Sequence, residues 1–434
     1  MSAPAELRVG WCPGALRPMA SGDGLILRVK PRGAALTLRQ AGGIAAVAAR
    51  HGNGLLDLTT RANLQVRGVS EARLAAATVE LDALGLLDAD AGAEGRRNVL
   101  ASPLMGLDPS AAGDIRAAVA SLEERFAAAT ALAALPSKFG VAVCGGGLLP
   151  LGAVAADIRF DAGPDWRFAL RLDGEDAALA AATPDAMPEV ALRLAAAFVA
   201  ARRRDPGLRR MRDLVAAEGA AAVCGAAGLD GLVGVAPPPG GAAAHRGAAP
   251  GIGALVLGDG TTVLGVAAAF GRLDAGQLDA LVTAARRAGA AALRVTPWRA
   301  LLVPGLSAPG ASGLAASCAD AGLVVDPADP RLRVAACTGA AGCARGSTPV
   351  LDHAARFAGL LGPGQAGAGI ALHVSGCAKG CAHPGAAPLT LVAAAGRYAL
   401  VADGTAGDEP VAAGLDPEEA RRLLKTTLRW DRHP

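Results

Sequence analysis

The chain has 434 residues, 52% of them hydrophobic and 19% charged, with a formal net charge of +3. This length is sufficient for two to four domains with buried cores, the composition excludes an intrinsically disordered chain, and the charge is too small to indicate nucleic-acid binding. Charged residues interrupt every apolar stretch before about 18 residues, which excludes a transmembrane helix, and the absence of an N-terminal apolar segment predicts a cytoplasmic protein.

Two segments show the same order of predicted elements. Residues 25–68 and 262–305 each contain a β-like run, an amphipathic helix, and two further β-like runs. A helix is predicted after each copy, at 71–84 and at about 311–321, followed by a short strand. On this register Ser102 stands where the second copy has Cys337. The pattern predicts a duplicated α+β protein, with a ligand cleft where the two copies face each other.

Cationic residues concentrate in the first copy. Residues 59–68 alternate, which on a strand places four side chains on one face, without an acidic partner: Arg61, Asn63, Gln65 and Arg67. Arg97 and Lys138 lie at the starts of the next predicted strands. Because arginine binds carboxylates in a bidentate manner, this group predicts a receptor for several carboxylates. The alternative is a polar sheet face with solvated arginines.

A Pro/Gly/Ala-rich segment at 233–251 predicts a linker between the halves. Near the C-terminus, Asp416, Pro417 and Glu419 have the spacing of an N-cap, a first helical residue and a third helical residue. They predict a final helix that begins there.

The eight cysteines fall into two groups. Cys12, Cys144, Cys224 and Cys318 are scattered, which is typical of small buried hydrophobes, and a reducing compartment makes disulfides unexpected. The others form a C-x5-C pair and a C-x3-C pair in loops of small residues: Cys337, Cys343, Cys377 and Cys381. Four thiolates suit a [4Fe–4S] cluster or a structural zinc. The five-residue spacing favours the cluster, while zinc or no metal remain alternatives.

These features resemble the sulfite and nitrite reductase superfamily, whose members carry two ferredoxin-like half-repeats and a C-x5-C…C-x3-C cluster site. The narrower resemblance is to the precorrin-3B synthase family, in six motifs: residues 12–14, 21–24, 52–54, 61–65, 296–299 and 375–384. The resemblance implies a pseudo-two-fold fold of two half-repeats and two α/β modules, divided as follows: lead segment 1–18, first half-repeat 19–90, first module 91–232, linker 233–251, second half-repeat 252–322 and second, cluster-binding module 323–434.

The resemblance also implies site residues. The four paired cysteines would ligate a [4Fe–4S] cluster. Arg61, Arg97 and Lys138 would be catalytic residues of the anion site. The remaining residues implied to bind substrate carboxylates are these: Arg28, Asn63, Gln65, Arg67 and Lys379.

The implied activity is O2-dependent hydroxylation and lactone formation on precorrin-3A, in aerobic cobalamin biosynthesis. A separate NADH-dependent reductase or ferredoxin would supply electrons, because no G-x-G-x-x-G lies between a predicted strand and helix. The O2-activating centre is left open between a second iron and a sirohaem-like macrocycle, with Cys381 as the bridging ligand in the latter case. His373 and His383 flank the second cysteine pair and are candidate ligands.

Two other functions compete with this interpretation. One is a sirohaem-dependent nitrite or sulfite reductase. Those enzymes place a second lysine where this chain has Gly140 and usually have Pro-Asn where it has Ala378, Lys379 and Gly380, which favours the synthase. The other is a non-enzymatic iron–sulfur carrier or a structural zinc protein.

Overall fold

The computed structural model describes residues 13–152, 154–163, 165–229, 251–364 and 369–430, with side chains up to residue 427. Cys12 and predicted linker residues 233–250 lie outside these ranges. No helix in the described part is long and apolar enough to cross a bilayer.

The described residues form four five-stranded sheets and eleven α-helices. The strands are β1 Met19–Ser21, β2 Gly24–Val29, β3 Ala35–Thr37, β4 Leu55–Leu58, β5 Leu64–Val69, β6 Val99–Ala101, β7 Val141–Cys144, β8 Ile158–Ala162, β9 Phe168–Leu172, β10 Ala180–Ala182, β11 Gly253–Val256, β12 Thr262–Ala267, β13 Arg272–Asp274, β14 Ala292–Val295, β15 Ala300–Leu306, β16 Val334–Ala336, β17 Leu372–Ser375, β18 Ala387–Ala394, β19 Arg397–Gly404 and β20 Ala412–Leu415. The helices are α1 Leu38–His51, α2 Glu71–Ala83, α3 Ala91–Arg96, α4 Arg116–Ala128, α5 Met187–Arg204, α6 Met211–Glu218, α7 Ala220–Ala226, α8 Ala275–Arg287, α9 Ala308–Asp320, α10 Val350–Ala358 and α11 Pro417–Trp430.

The two half-repeats exchange one strand each. The first sheet has the order β1-β2-β5-β4-β13 and the second β11-β12-β15-β14-β3. In the first, Arg272 of β13 pairs with Asp57 of β4. Apolar residues from both half-repeats, such as Leu36 and Leu273, join one buried core. Because burial of apolar surface is the main force that stabilises a fold, the half-repeats stabilise each other.

The other two sheets share one topology. β6, β7 and β8 are parallel and continue antiparallel into β9 and β10, and β16 to β20 repeat this order. Ser102 follows β6 as Cys337 follows β16, which confirms the predicted register. The surrounding hydrogen bonds are also the same: Gly145 donates to Ser102 Oγ at 2.8 Å, and Gly376 donates to Cys337 Sγ at 3.1 Å.

The predicted helices are present, with different ends. α2 ends one residue early, and α9 begins at Ala308 because the Ser307 hydroxyl accepts the Gly310 amide and caps the helix there. α11 begins as predicted, and the Asp416 carboxylate accepts the amides of Glu418 and Glu419.

Candidate functional site

A cleft of about 470 Å³ lies between the first sheet and the cysteine-bearing module. One wall consists of residues of β2, β4 and β5, and Arg272 of the exchanged strand β13 extends this wall. The opposite wall contains Cys337 and Cys381. The cleft therefore places cationic side chains and two of the predicted cluster ligands around one space.

Three cations of this cleft form no ion pair among the described residues: Arg28, Lys138 and Arg299. Arg299 is described further below. Arg28 lies opposite Gln65 in the strand register. With its amide oriented to satisfy both groups, Gln65 accepts from Arg28 Nη2 at 2.8 Å and from Nε at 3.2 Å. Gln65 thus orients the guanidinium and leaves its charge uncompensated, which suits a carboxylate ligand.

Arg67 lies in the cleft but is already paired, contrary to the prediction of donors without an acidic partner. It is 4% exposed and binds Asp23 at 2.7 Å and Asp57 at 3.0 Å. It also donates to the Gly342 carbonyl at 3.2 Å, beside Cys343. Since a buried ion pair of this kind is structural, Arg67 holds the first sheet against the cysteine loop. The prediction of Arg67 as a direct carboxylate ligand is corrected accordingly.

Arg272 makes a parallel link from the exchanged strand. It binds Asp57 at 2.6 Å and donates to Thr338 Oγ1 at 2.9 Å, next to Cys337. Sequence reasoning missed this residue, because only the strand exchange brings it to the first half's cleft.

Arg97 is wrongly predicted as an anion-site residue. It is 3% exposed and is held by Asp88, at 2.8 Å from both Nε and Nη2, by Glu123 at 3.4 Å and by the Lys30 carbonyl at 2.9 Å. It does not line the cleft. The local pattern around Arg97 contains no signal for Asp88 or Glu123 as partners.

Arg61 and Asn63 lie in a turn, not on the strand face where the alternation placed them. The Thr59 amide bonds to the Asn63 carbonyl at 2.9 Å, Ala62 has φ 52, and β5 begins only at Leu64. Arg61 donates to the Lys138 carbonyl at 2.6 Å. Arg61 is therefore beside the cleft cation Lys138, while it and Asn63 line a smaller neighbouring cavity with Arg97.

The four paired cysteines surround one region of the second module. Burial chiefly raises the pKa of the Cys381 thiol; Lys379 opposes this shift, and the other three thiols add to it. Lys379, predicted to bind substrate, is exposed and is not among the residues that line the cleft; its charge acts on the Cys381 thiol. Within the described residues no three Cys, His, Asp or Glu side chains converge on a single ion.

Small residues are required around these thiols. A Cβ on Gly346 would lie 2.3 Å from the Gly339 backbone, and one on Gly376 would lie 3.3 Å from Cys337 Sγ. The Gly376 amide is aimed at that sulfur. Four thiols at the two spacings, an amide donor to sulfur and tight glycine loops fit a [4Fe–4S] cluster, whose ligands surround a bulky core and not one ion.

The two candidate histidines are neighbours, with ring centroids 5.8 Å apart. His373 is fully buried, and neither ring nitrogen has a partner among the described residues. Burial lowers the pKa of His373 to about 4, so the ring is neutral. His383 contacts the Ala386 carbonyl at 3.1 Å.

Arg299 is a further cleft residue that the site prediction omitted. It ends the motif 296–299, quoted above only for its resemblance, and that motif was the signal available in the sequence. Burial lowers the pKa of Arg299, and Asp57 opposes the shift.

Comparisons with known proteins give a consistent result. The nitrite/sulfite reductase ferredoxin-like half domain matches this chain twice, at residues 17–84 and 256–318, which contain the two predicted copies. A precorrin-3B synthase from Sinorhizobium sp. is 33% identical over 418 residues, covering 94% of this chain and 86% of the relative.

The nitrite reductase relatives match only part of this chain. The ferredoxin–nitrite reductase of Synechococcus elongatus is 30% identical over 160 residues, covering 36% of this chain and 31% of the relative. The structure of Mycobacterium tuberculosis NirA superposes with a TM-score of 0.74 at 20% identity, over 93% of this chain and 80% of that one. This similarity confirms the predicted duplicated α+β fold.

Proposed function

The chain belongs to the precorrin-3B synthase family, and from that premise we propose that it is an oxidoreductase that hydroxylates precorrin-3A with O2 and closes the γ-lactone in cobalamin biosynthesis. The observation that carries the proposal is the cleft of about 470 Å³ with uncompensated cations on one wall and thiols on the other. Precorrin-3A carries many carboxylates, and arginine binds carboxylates strongly through charge-assisted hydrogen bonds.

Within this proposal Arg28 and Lys138 bind substrate carboxylates, and Gln65 orients Arg28. Arg61 supports the segment of Lys138 through the 2.6 Å bond to its carbonyl. Asn63, in the same turn as Arg61, binds substrate from the neighbouring cavity that it lines. Arg67 and Arg272 keep the substrate wall against the thiol loop.

The thiolates of Cys337, Cys343, Cys377 and Cys381 would hold a [4Fe–4S] cluster. When bound, the cluster supplies single electrons to the reaction. Lys379 would stabilise the thiolate form of Cys381, since its charge favours the deprotonated sulfur. Cys381 is exposed, which supports electron delivery by a separate reductase or ferredoxin that docks from solvent.

The reductase alternative is less well supported. The reductases' second lysine would stand at residue 140, where a Cβ on Gly140 would lie 3.2 Å from the Asn98 carbonyl and 3.4 Å from Arg61 Nη1. A longer side chain would have to displace Arg61. The nitrite reductase relatives also match only about a third of this chain.

The test is to incubate the protein with precorrin-3A without oxygen, and then to add O2 and a reductant. Mass spectrometry should detect a lactone product with one added oxygen, and Cys337→Ser should form none. Cys318→Ser is the matched control, because that thiol is buried in the half-repeat core. Stoichiometric extractable sirohaem, with turnover of nitrite or sulfite and none of precorrin-3A, would contradict the proposal.

A further inference from the structure

A side pocket of about 220 Å³ opens beside the cleft. Five residues line both spaces, so the pocket is continuous with the proposed substrate site: Thr60, Phe270, Gly271, Arg299 and Ala382. Its other walls come from β12, from Trp298 and from the segment before β16. The family comparisons and the site prediction assign no role to this pocket.

The pocket contains donors without acceptors. Arg299 forms no hydrogen bond or ion pair among the described residues, and Trp298 Nε1 is buried without a partner there. No Asp or Glu lines the pocket, and its second arginine, Arg331, is already held by Asp329. Because buried polar groups in native proteins are nearly always hydrogen-bonded, the Trp298 indole calls for an acceptor that a ligand can bring, and the half-buried Arg299 beside it supplies a positive charge.

Arg299 lies in a turn whose backbone conformation is strained. Arg299 has φ 61, a value that favours glycine, and so does Phe270 beside it. Gly271 allows the close approach, because a Cβ there would lie 2.6 Å from Arg299 Cδ.

The other half-repeat shows that the turn itself does not need an arginine. The equivalent turn has Ala62 at φ 52 where this one has Arg299. Both turns are closed by a threonine, and the Thr296 hydroxyl accepts the Ala300 amide at 3.1 Å. At this turn position the second copy has a guanidinium where the first copy has a methyl group, and the guanidinium lies at the edge of the cleft.

We infer that the side pocket binds a carboxylate-bearing arm of the macrocycle, with Arg299 as its ionic partner and the Trp298 indole N–H as a second donor. A carboxylate would compensate the charge of the half-buried Arg299, since an opposite charge favours the charged form. The inference rests on the proposed function for the identity of the macrocycle. The ligand class itself follows from the unpaired donors and from the absence of acids in the pocket lining, since Asp57, which acts on Arg299 from the cleft, is already bound to Arg67 and Arg272.

Uroporphyrin III, which carries eight carboxylates, is a suitable probe, and its fluorescence reports binding to the iron-loaded protein. Arg299→Gln and Arg299→Gly should each raise its Kd about tenfold, and Trp298→Phe about fivefold. Glycine adopts the backbone conformation of residue 299 readily, so the melting temperature of Arg299→Gly should not fall. The matched control is Arg294→Gln, a partly buried arginine of β14 that lines a different cavity.

The inference is overturned if the two Arg299 variants bind as tightly as the wild type, if the control loses as much affinity, or if the wild type does not bind uroporphyrin. Competition by inorganic phosphate that disappears in Arg299→Gly would assign the pocket to a free anion instead. Precorrin-3A turnover by the wild type is measured in parallel. Arg299-dependent binding without turnover refutes the proposed function alone, whereas turnover with unchanged binding by the variants refutes this inference alone.

Discussion

The Gly376 amide donates a hydrogen bond to the Cys337 thiol at 3.1 Å. The same bond occurs in the other half of the molecule, where Gly145 donates to the Ser102 hydroxyl at 2.8 Å. The fold therefore provides an amide donor at this point in both copies. One atom, sulfur or oxygen, therefore distinguishes the copy that carries the proposed metal ligand from the copy that does not.

Cys337→Ser should keep this hydrogen bond, as Ser102 does, and lose the cluster. Iron per chain is expected to fall from about four to near zero, because a serine hydroxyl is a poor ligand for a [4Fe–4S] cluster. Iron and acid-labile sulfide analysis measures this. Cys318→Ser is the control and should retain its iron; equal iron in Cys337→Ser and wild type would disprove the ligand role.

Gly346→Ala should disturb the loop between Cys337 and Cys343. The added Cβ would lie 2.3 Å from the Gly339 carbonyl carbon, and backbone on both sides must shift. We expect a loss of about 1–3 kcal/mol in stability, together with faster iron release. Gly385→Ala is the matched control, since its nearest neighbour, His383 Nε2, is 3.6 Å away. If both variants release iron at the same rate, crowding at Gly346 is not the cause.

Substitutions of Arg97 and Arg28 should have different effects, the first on stability and the second on tetrapyrrole binding. Arg97→Ala leaves Glu123 buried without its ion-pair partner and Asp88 with only the exposed Arg32, and should lower the free energy of unfolding by about 3–5 kcal/mol. Arg28→Ala should cost less than about 1 kcal/mol but raise the Kd for a tetrapyrrole about tenfold. Denaturant unfolding and fluorescence titration check the pair. A stable Arg97→Ala protein with impaired binding would restore the original assignment.

Lys30 should make stability depend on pH. The side chain is 8% exposed, and burial lowers the pKa of its amine from 10.5 to about 8, with Glu94 opposing the shift. Between these two pKa values the unfolded chain binds more protons than the folded one. The free energy of unfolding therefore rises with pH over this range, by roughly 3 kcal/mol.

Lys30→Met should abolish that rise, and denaturant unfolding of both proteins at several pH values measures it. Lys425→Met removes an exposed charge on α11 and is the control that should keep the wild-type profile. Parallel stability profiles for the wild type and Lys30→Met would refute the effect.

Local patterns determined much of this protein. The repeated order of strands and helices, the equivalence of Ser102 and Cys337, and the start of α11 at Asp416 all follow from residues close together in the chain. The cysteine spacing likewise predicted the thiol group around Cys381. Hydrophobic periodicity, capping and loop composition act over short distances, so one sequence is sufficient to detect them.

The tertiary structure decided which cations face the cleft. Arg28 and Arg97 are both arginines near predicted strands. Arg97 is bound by Asp88 and Glu123 from other elements, while the Arg28 guanidinium contacts Gln65 and no acid among the described residues. Arg272 reaches the first half only through strand exchange. Whether an arginine is structural or available for a ligand depends on the charges that distant segments bring to it, and only folding places those segments together.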